Sequence, residues 1–304
     1  MGSISGAASV RPQLVADVPC RTGENPLWHA DEGRIYWTDI PAGRLYRARA
    51  DGTGIEQFDL RAPAGGFTIQ EDGDLLLFMA GGAVRSWRDG HFTGTVQESL
   101  EGEEESRFND VIADPVGRVF CGTMSSPSHA GRLYRLDPDG TIHLVGEGFG
   151  TPNRMGFSGD RSFFYQQDSR HCNIYRYRYD ENTGEIGDRE VLVHVDRDLG
   201  RGRPDGMTVD AEDRIWSARW DGGRVVHYSP DGKEAGEVLF PVRKVSCVTF
   251  GGEDLKTVFA TTAGGTGRPG EGAWAGSLFR FTPGVQGRPE FRSRITSATR
   301  TIDE

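Results

Sequence analysis

Several things are missing from this 304-residue chain, and each absence narrows what it can be. No apolar run reaches the roughly 18 residues that a membrane-spanning helix needs, and no amphipathic stretch reads as a long helix. Basic residues are outnumbered, 35 Lys and Arg against 45 Asp and Glu, for a formal charge of −10. The basic footprint of a nucleic-acid binder is therefore lacking. The four cysteines, Cys20, Cys121, Cys172 and Cys247, form no CxxC pair and have no histidine at zinc-site spacing. Cys121 and Cys247 sit in apolar strand-like segments and read as small buried hydrophobes. Free thiols imply a reducing compartment, hence a cytoplasmic location. The opening MGSISGAASV has neither the charged start nor the apolar core of a signal peptide, and residues 1–10 are expected to be a disordered tail. There is no GxSxG elbow, and His29, His129, His143, His171 and His227 fall in no Ser/His/Asp order. The acidic run 101–105 reads as a solvated loop.

What is abundant is glycine, 43 residues, with aromatics at 10%. That mixture suits a many-stranded, turn-rich β protein. Laid against itself, the chain repeats six times at roughly forty to fifty residues, the period of a four-stranded propeller blade. The copies begin GRIYWTD (Gly33), GDLLLFMA (Gly73), GRVFCGTM (Gly117), RSFFYQQDS (Arg161), DRIWSARW (Asp213) and KTVFATTA (Lys256). Each is followed by a second strand, and several end in Asp-Gly, a hairpin turn that tolerates positive φ. One such sheet cannot bury both faces, whereas six packed around an axis can. The expected fold is therefore an all-β, six-bladed propeller with four-stranded antiparallel blades around a central channel, occupying 11–304 as a single domain. Closure requires the ends to meet, so the strand-like segment 12–18 is expected to join the last blade beside 291–295.

Four polar residues break the strand pattern at one shared offset, each just ahead of the quoted strand of its repeat: Glu24, Asn109, Asn153 and Asp205. In a propeller such positions converge on the axis. Two carboxylates and two amides are hard oxygen donors, suited to Ca²⁺, Mg²⁺ or Mn²⁺; Zn²⁺ would lack its usual His or Cys partners. Against this stands the plainer reading that Asn and Asp near Pro and Gly satisfy their own turns. Asp39 and Asp168, at strand ends, read as turn residues, and Trp37, Trp216 and Trp220 as blade core.

The segments GENPLWHADEGRIYWTDI, RFNDVIADPVGRVFCGTM, TPNRMGFSGD, PDGMTVDAEDRIW and VTFGGEDLKTVFATTA together resemble the regucalcin/gluconolactonase (senescence-marker-protein) family of six-bladed propellers. The resemblance implies metal ligands at Glu24, Asn153 and Asp205, with Asp205 also the catalytic base, and substrate contacts from Arg107 and Asn109. It implies one divalent ion, Ca²⁺ ahead of Zn²⁺, Mn²⁺ or Mg²⁺, and a sugar lactone as substrate. A monomer or weak homo-oligomer is expected, with no nucleic-acid or membrane partner. The sequence departs from the family pattern at Asn109-Asp110-Val111 (usually Asn-Asp-Gly), at Asn153-Arg154 (usually Asn-Gly), and at Ser125-Ser126-Pro127, where vertebrate members carry an acidic residue. Arg154, beside the ligand, reads either as a new anion contact or as a solvated surface side chain, and the second is expected. Two alternatives accompany the lactonase reading: a phosphotriester hydrolase using the same site, and a non-catalytic Ca²⁺-binding or interaction propeller.

Overall fold

In the computed structural model, which describes residues 10–299, the alternating strands form six antiparallel sheets. Five have four strands, and the second gains a short fifth from Ala298–Thr299 paired with His91–Gln97. The inner strands are Gly23–His29, Ala64–Ile69, Phe108–Ala113, Pro152–Phe157, Arg203–Val209 and Val245–Gly251, one from each of blades 1 to 6. All but one of their residues are buried, Arg203 being half-buried. The expected architecture is the one formed; the expected tail 1–10 falls, but for Val10, outside the described residues.

Apolar side chains form six clusters, one between each pair of neighbouring blades. Trp37 of blade 1 packs with Phe259 of blade 6, Phe78 of blade 2 with Phe108 and Cys121 of blade 3, and Trp216 of blade 5 with Phe250 of blade 6. Each blade thus supplies half of two cores, so none can bury its faces alone. Trp220, expected in the core, is only half-buried.

The ring closes differently from expectation. Gln13–Ala16 pairs with Leu278–Phe281, completing blade 6 with an N-terminal outer strand. The segment 286–296 does not meet it. Instead it runs as a strap across the C-terminal ends of the inner strands: Gly287 bridges Asp210, Phe291 packs on Phe157, Ser293 bridges Gln70, and Arg294 N donates to Gly117 O. Both ends of the described residues therefore hold the ring, at two different places. Two hollows of about 320 and 590 Å³ flank the strap.

Candidate metal and catalytic centre

Every inner strand carries a register shift near its start: between Glu24 and Leu27, Ala64 and Gly66, Phe108 and Val111, Pro152 and Met155, Pro204 and Met207, and Val245 and Cys247. A β-bulge inserts one residue and re-aims a side chain. Repeated six times, it turns two consecutive positions per blade toward the axis. The first ring is Glu24, Gly65, Asn109, Asn153, Asp205 and Ser246; the second is Asn25, Gly66, Asp110, Arg154, Gly206 and Cys247. First-ring Glu24, Asn109 and Asp205 are 5–8% exposed, while Asn153 and Ser246 are as buried as the second-ring side chains at 0–2%, so the first ring lies nearer solvent at three of its positions.

All four residues singled out by offset belong to the first ring. Asn153 Nδ2 donates to Asp205 Oδ1, across the gap between blades 4 and 5, and to Ser169 Oγ of its own blade (3.0 Å). Asn153 Oδ1 accepts from Arg154 N (3.0 Å) and keeps a second lone pair. Glu24 Oε2 accepts from Asn25 N (3.2 Å). Asn109 is engaged on both sides, accepting from Arg107 Nη1 (2.8 Å) and donating to Pro152 O (2.8 Å). Arg107 Nη1 also donates to Phe108 O (2.8 Å).

Sequence reasoning missed most of the second ring. Asn25, at φ 48°, donates to Asp110 Oδ1 (3.3 Å) and accepts from Phe67 N (2.7 Å), tying three blades together. Arg154 is no surface residue: it is 1% exposed, with Nη2 on Glu290 Oε1 of the strap (3.2 Å) and Nη1 3.9 Å from Asp110 Oδ1. Cys247 is buried as expected, but beside carboxylates rather than in an apolar core. Arg154 stands where the family's usual Asn-Gly is altered, which marks the position without giving its role, and Asp110 stands within the usual Asn-Asp. What the sequence could not give was the bulge that turns them inward.

The electrostatics are those of a site with too much buried negative charge. Burial, then repulsion from Asp205 and Asp110, holds the Glu24 carboxyl well above its ordinary range. Burial and the charge of Asp110 do the same to Asp205, and burial pushes Asp110 up to about 6. Asp205 Oδ2 and Asp110 Oδ2 are buried without a hydrogen-bond partner. Such oxygens are costly unless a cation meets them. The donor set of carboxylates and amide oxygen fits a hard divalent ion, and Glu24, Asn153 and Asp205 are the residues that could hold it.

Other sequence readings resolve simply. Asp39 accepts from Arg21 N and Thr22 N (both 3.0 Å), and Asp168 from Gly150 N (2.8 Å) and Thr151 N (3.0 Å). Each pins the segment entering the inner strand of its own blade. The two ring nitrogens of His129 lie 2.7 Å from Ala130 O and 2.8 Å from Gly102 O. Within the acidic run, Glu103 is fully buried and accepts from Tyr134 Oη (2.8 Å), so that loop is anchored rather than solvated throughout.

Residues 22–264 match the model of the SMP-30/gluconolactonase/LRE-like region. The chain belongs to this family. Within the SMP-30/gluconolactonase family it is 48% identical over 289 residues to the pentonolactonase XacC of Haloferax volcanii, covering 92% of this chain and 97% of that one. It is 36% identical to a 6-deoxy-6-sulfogluconolactonase of Pseudomonas putida, over 83% and 86% of the two chains. Among solved structures, a calcium-binding regucalcin from Agrobacterium tumefaciens superimposes with a TM-score of 0.84 at 24% identity, over 95% of this chain and all of that one. At that identity the last likeness speaks to the fold alone. No helix among the described residues is long and apolar enough to cross a membrane.

Proposed function

We propose that this protein hydrolyses the ring ester of a sugar lactone at the mouth of the propeller channel, using one divalent cation held by Glu24, Asn153 and Asp205. The observation that carries the reading is Asp205 itself. One of its oxygens is fixed by Asn153 and Ser169, and the other is buried and unpartnered in the field of Glu24. Membership of a family whose relatives include two named sugar lactonases supports the substrate class, and a five-carbon aldonolactone is the first to try. For an oxygen-only donor set Ca²⁺ is the first ion to test, with Mn²⁺, Mg²⁺ and Zn²⁺ beside it.

When bound, the ion supplies Lewis acidity toward a carbonyl oxygen and a bound water. The rest falls to the chain. The Asp205 carboxylate, through an oxygen that the ion leaves free, would take a proton from the attacking water as the water oxygen bonds to the carbonyl carbon. The ring C–O bond then breaks, the leaving alkoxide regains the proton, and an open hydroxy acid results. Arg107 orients the sugar hydroxyls. Asn109, bonded to both Arg107 and the Pro152 carbonyl, fixes the direction from which Arg107 approaches.

The test is a lactone panel assayed on chelated and metal-reloaded protein, with Asp205→Ala in parallel. Turnover should depend on the ion and fall about 10²- to 10⁴-fold in the variant, the usual contribution of a general base, while the circular dichroism spectrum is unchanged. Full activity in Asp205→Ala, or hydrolysis of paraoxon in place of every lactone, would sink the proposal.

A further inference from the structure

Below the proposed ion position lies a second group of donors that the lactonase reading does not use. One ligand atom from each of Glu24, Asp110 and Cys247 lies within 4.8 Å of the other two, and all three residues are buried. Donors around one tetrahedral zinc-like ion stand about 3.5 Å apart, about an ångström closer than that limit. Small side-chain rotations therefore suffice to bring all three onto one ion. Asp110 commits Oδ1 to Asn25 and leaves Oδ2 buried and without a partner. The Cys247 thiol has only a 4.0 Å approach to Val248 O. Arg154 does not fill the gap: its guanidinium is drawn toward Glu290 and stays 3.9 Å from the oxygen of Asp110 that Asn25 already holds.

We propose that Glu24, Asp110 and the Cys247 thiolate form a second cation position, one ring deeper than the first and sharing Glu24 with it, which selects a thiolate-accepting divalent ion such as Zn²⁺, Fe²⁺ or Co²⁺ over Ca²⁺. The charges balance. Two carboxylates and a thiolate bring three negative charges, Arg154 offsets one, and a divalent ion neutralises the remaining two. On binding, the thiol proton and those still held by Glu24 and Asp110 are released to solvent as the metal bonds to the sulfur and the carboxylates. Sulfur is the selective element, since hard cations such as Ca²⁺ take oxygen donors while thiolates favour the softer ions. The position is closed by the neighbouring blade: a Cβ on Gly206 would stand 2.2 Å from Cys247 Sγ, so glycine there leaves the sulfur its room.

The experiment is a Co²⁺ titration of metal-free, full-length protein, read by near-ultraviolet and visible absorption. The wild type should develop a thiolate-to-cobalt charge-transfer band that saturates. Cys247→Ser should lack it, and Asp205→Asn, which removes a ligand of the upper position and none of the deep one, should keep it. Zn²⁺ should bleach the band, and Ca²⁺ at the same concentration should not. No band in the wild type, or a band that survives Cys247→Ser, overturns the proposal. Should Cys247→Ser lose its circular dichroism spectrum, Asp110→Asn keeps the thiol and decides instead: Co²⁺ affinity must fall at least about tenfold, and unchanged affinity overturns the proposal. The two readings fail separately. Lactone turnover with Ca²⁺ but no band removes only the deep position, and a band without turnover of any lactone removes only the lactonase assignment.

Discussion

Arg154 shows how much one side chain changes when it is buried. It reaches from the second ring to Glu290 of the strap and lies beside Asp110, with Nε and Nη1 left without partners. Arg154→Ala would strand two carboxylates that face it, and breaking a buried pair in this way costs about 3–5 kcal/mol. The variant should unfold at clearly lower urea than wild type, and an unchanged midpoint would show that the guanidinium does not stabilise the centre. Its role was not legible from the sequence. A long cation standing where the family usually has glycine is ordinarily solvated. Glu24, Asn109, Asn153 and Asp205 were legible because one offset recurs in four repeats, whereas Asp110 and Cys247 differ from blade to blade and share no residue type.

At the scale of the strand, the bulge in each inner strand crowds six backbones around the axis, and glycine is what lets them approach. A Cβ on Gly206 would lie 2.2 Å from Cys247 Sγ and 2.5 Å from its Cα. Gly206→Ala should therefore destabilise the protein by about 1–3 kcal/mol through overpacking, visible as a lower melting temperature. Because the Cα itself is in the way, Cys247→Ala should not restore it; full rescue would contradict the packing described here. The strands and their turns were readable from alternation and Asp-Gly signals. The partner of the N-terminal strand was not, because two apolar segments near the C-terminus, 278–281 and 291–295, offer similar patterns. The choice falls to Leu278–Phe281, which already pairs with Thr257–Thr262 and so presents a ready edge. The 286–296 segment is occupied instead by the inner-strand ends.

For the whole molecule, the buried carboxylates couple stability to pH and to metal. Asp110 moves from an ordinary 3.8 up to about 6 because burial disfavours its charged form, and Glu24 and Asp205 are raised as well. The folded metal-free protein thus holds protons that the unfolded chain releases. Its stability from these groups is complete below about pH 4 and is lost as pH rises through about 6 and beyond. A divalent ion supplies the missing positive charge to the ionised forms. The melting-temperature difference between metal-loaded and chelated protein should therefore widen steadily from pH 4 to pH 8, and a constant difference would argue against a cation among these carboxylates.

The strap lies, with the Arg154–Glu290 contact, across the ends of the inner strands opposite the first ring. A lactone and the open-chain acid formed from it contend for the same groups around Asp205 and Arg107, so the product should inhibit competitively, raising the apparent KM and leaving kcat unchanged. Product-inhibition kinetics at several acid concentrations would read this directly, and a purely noncompetitive pattern would mean that acid and lactone can be bound at once.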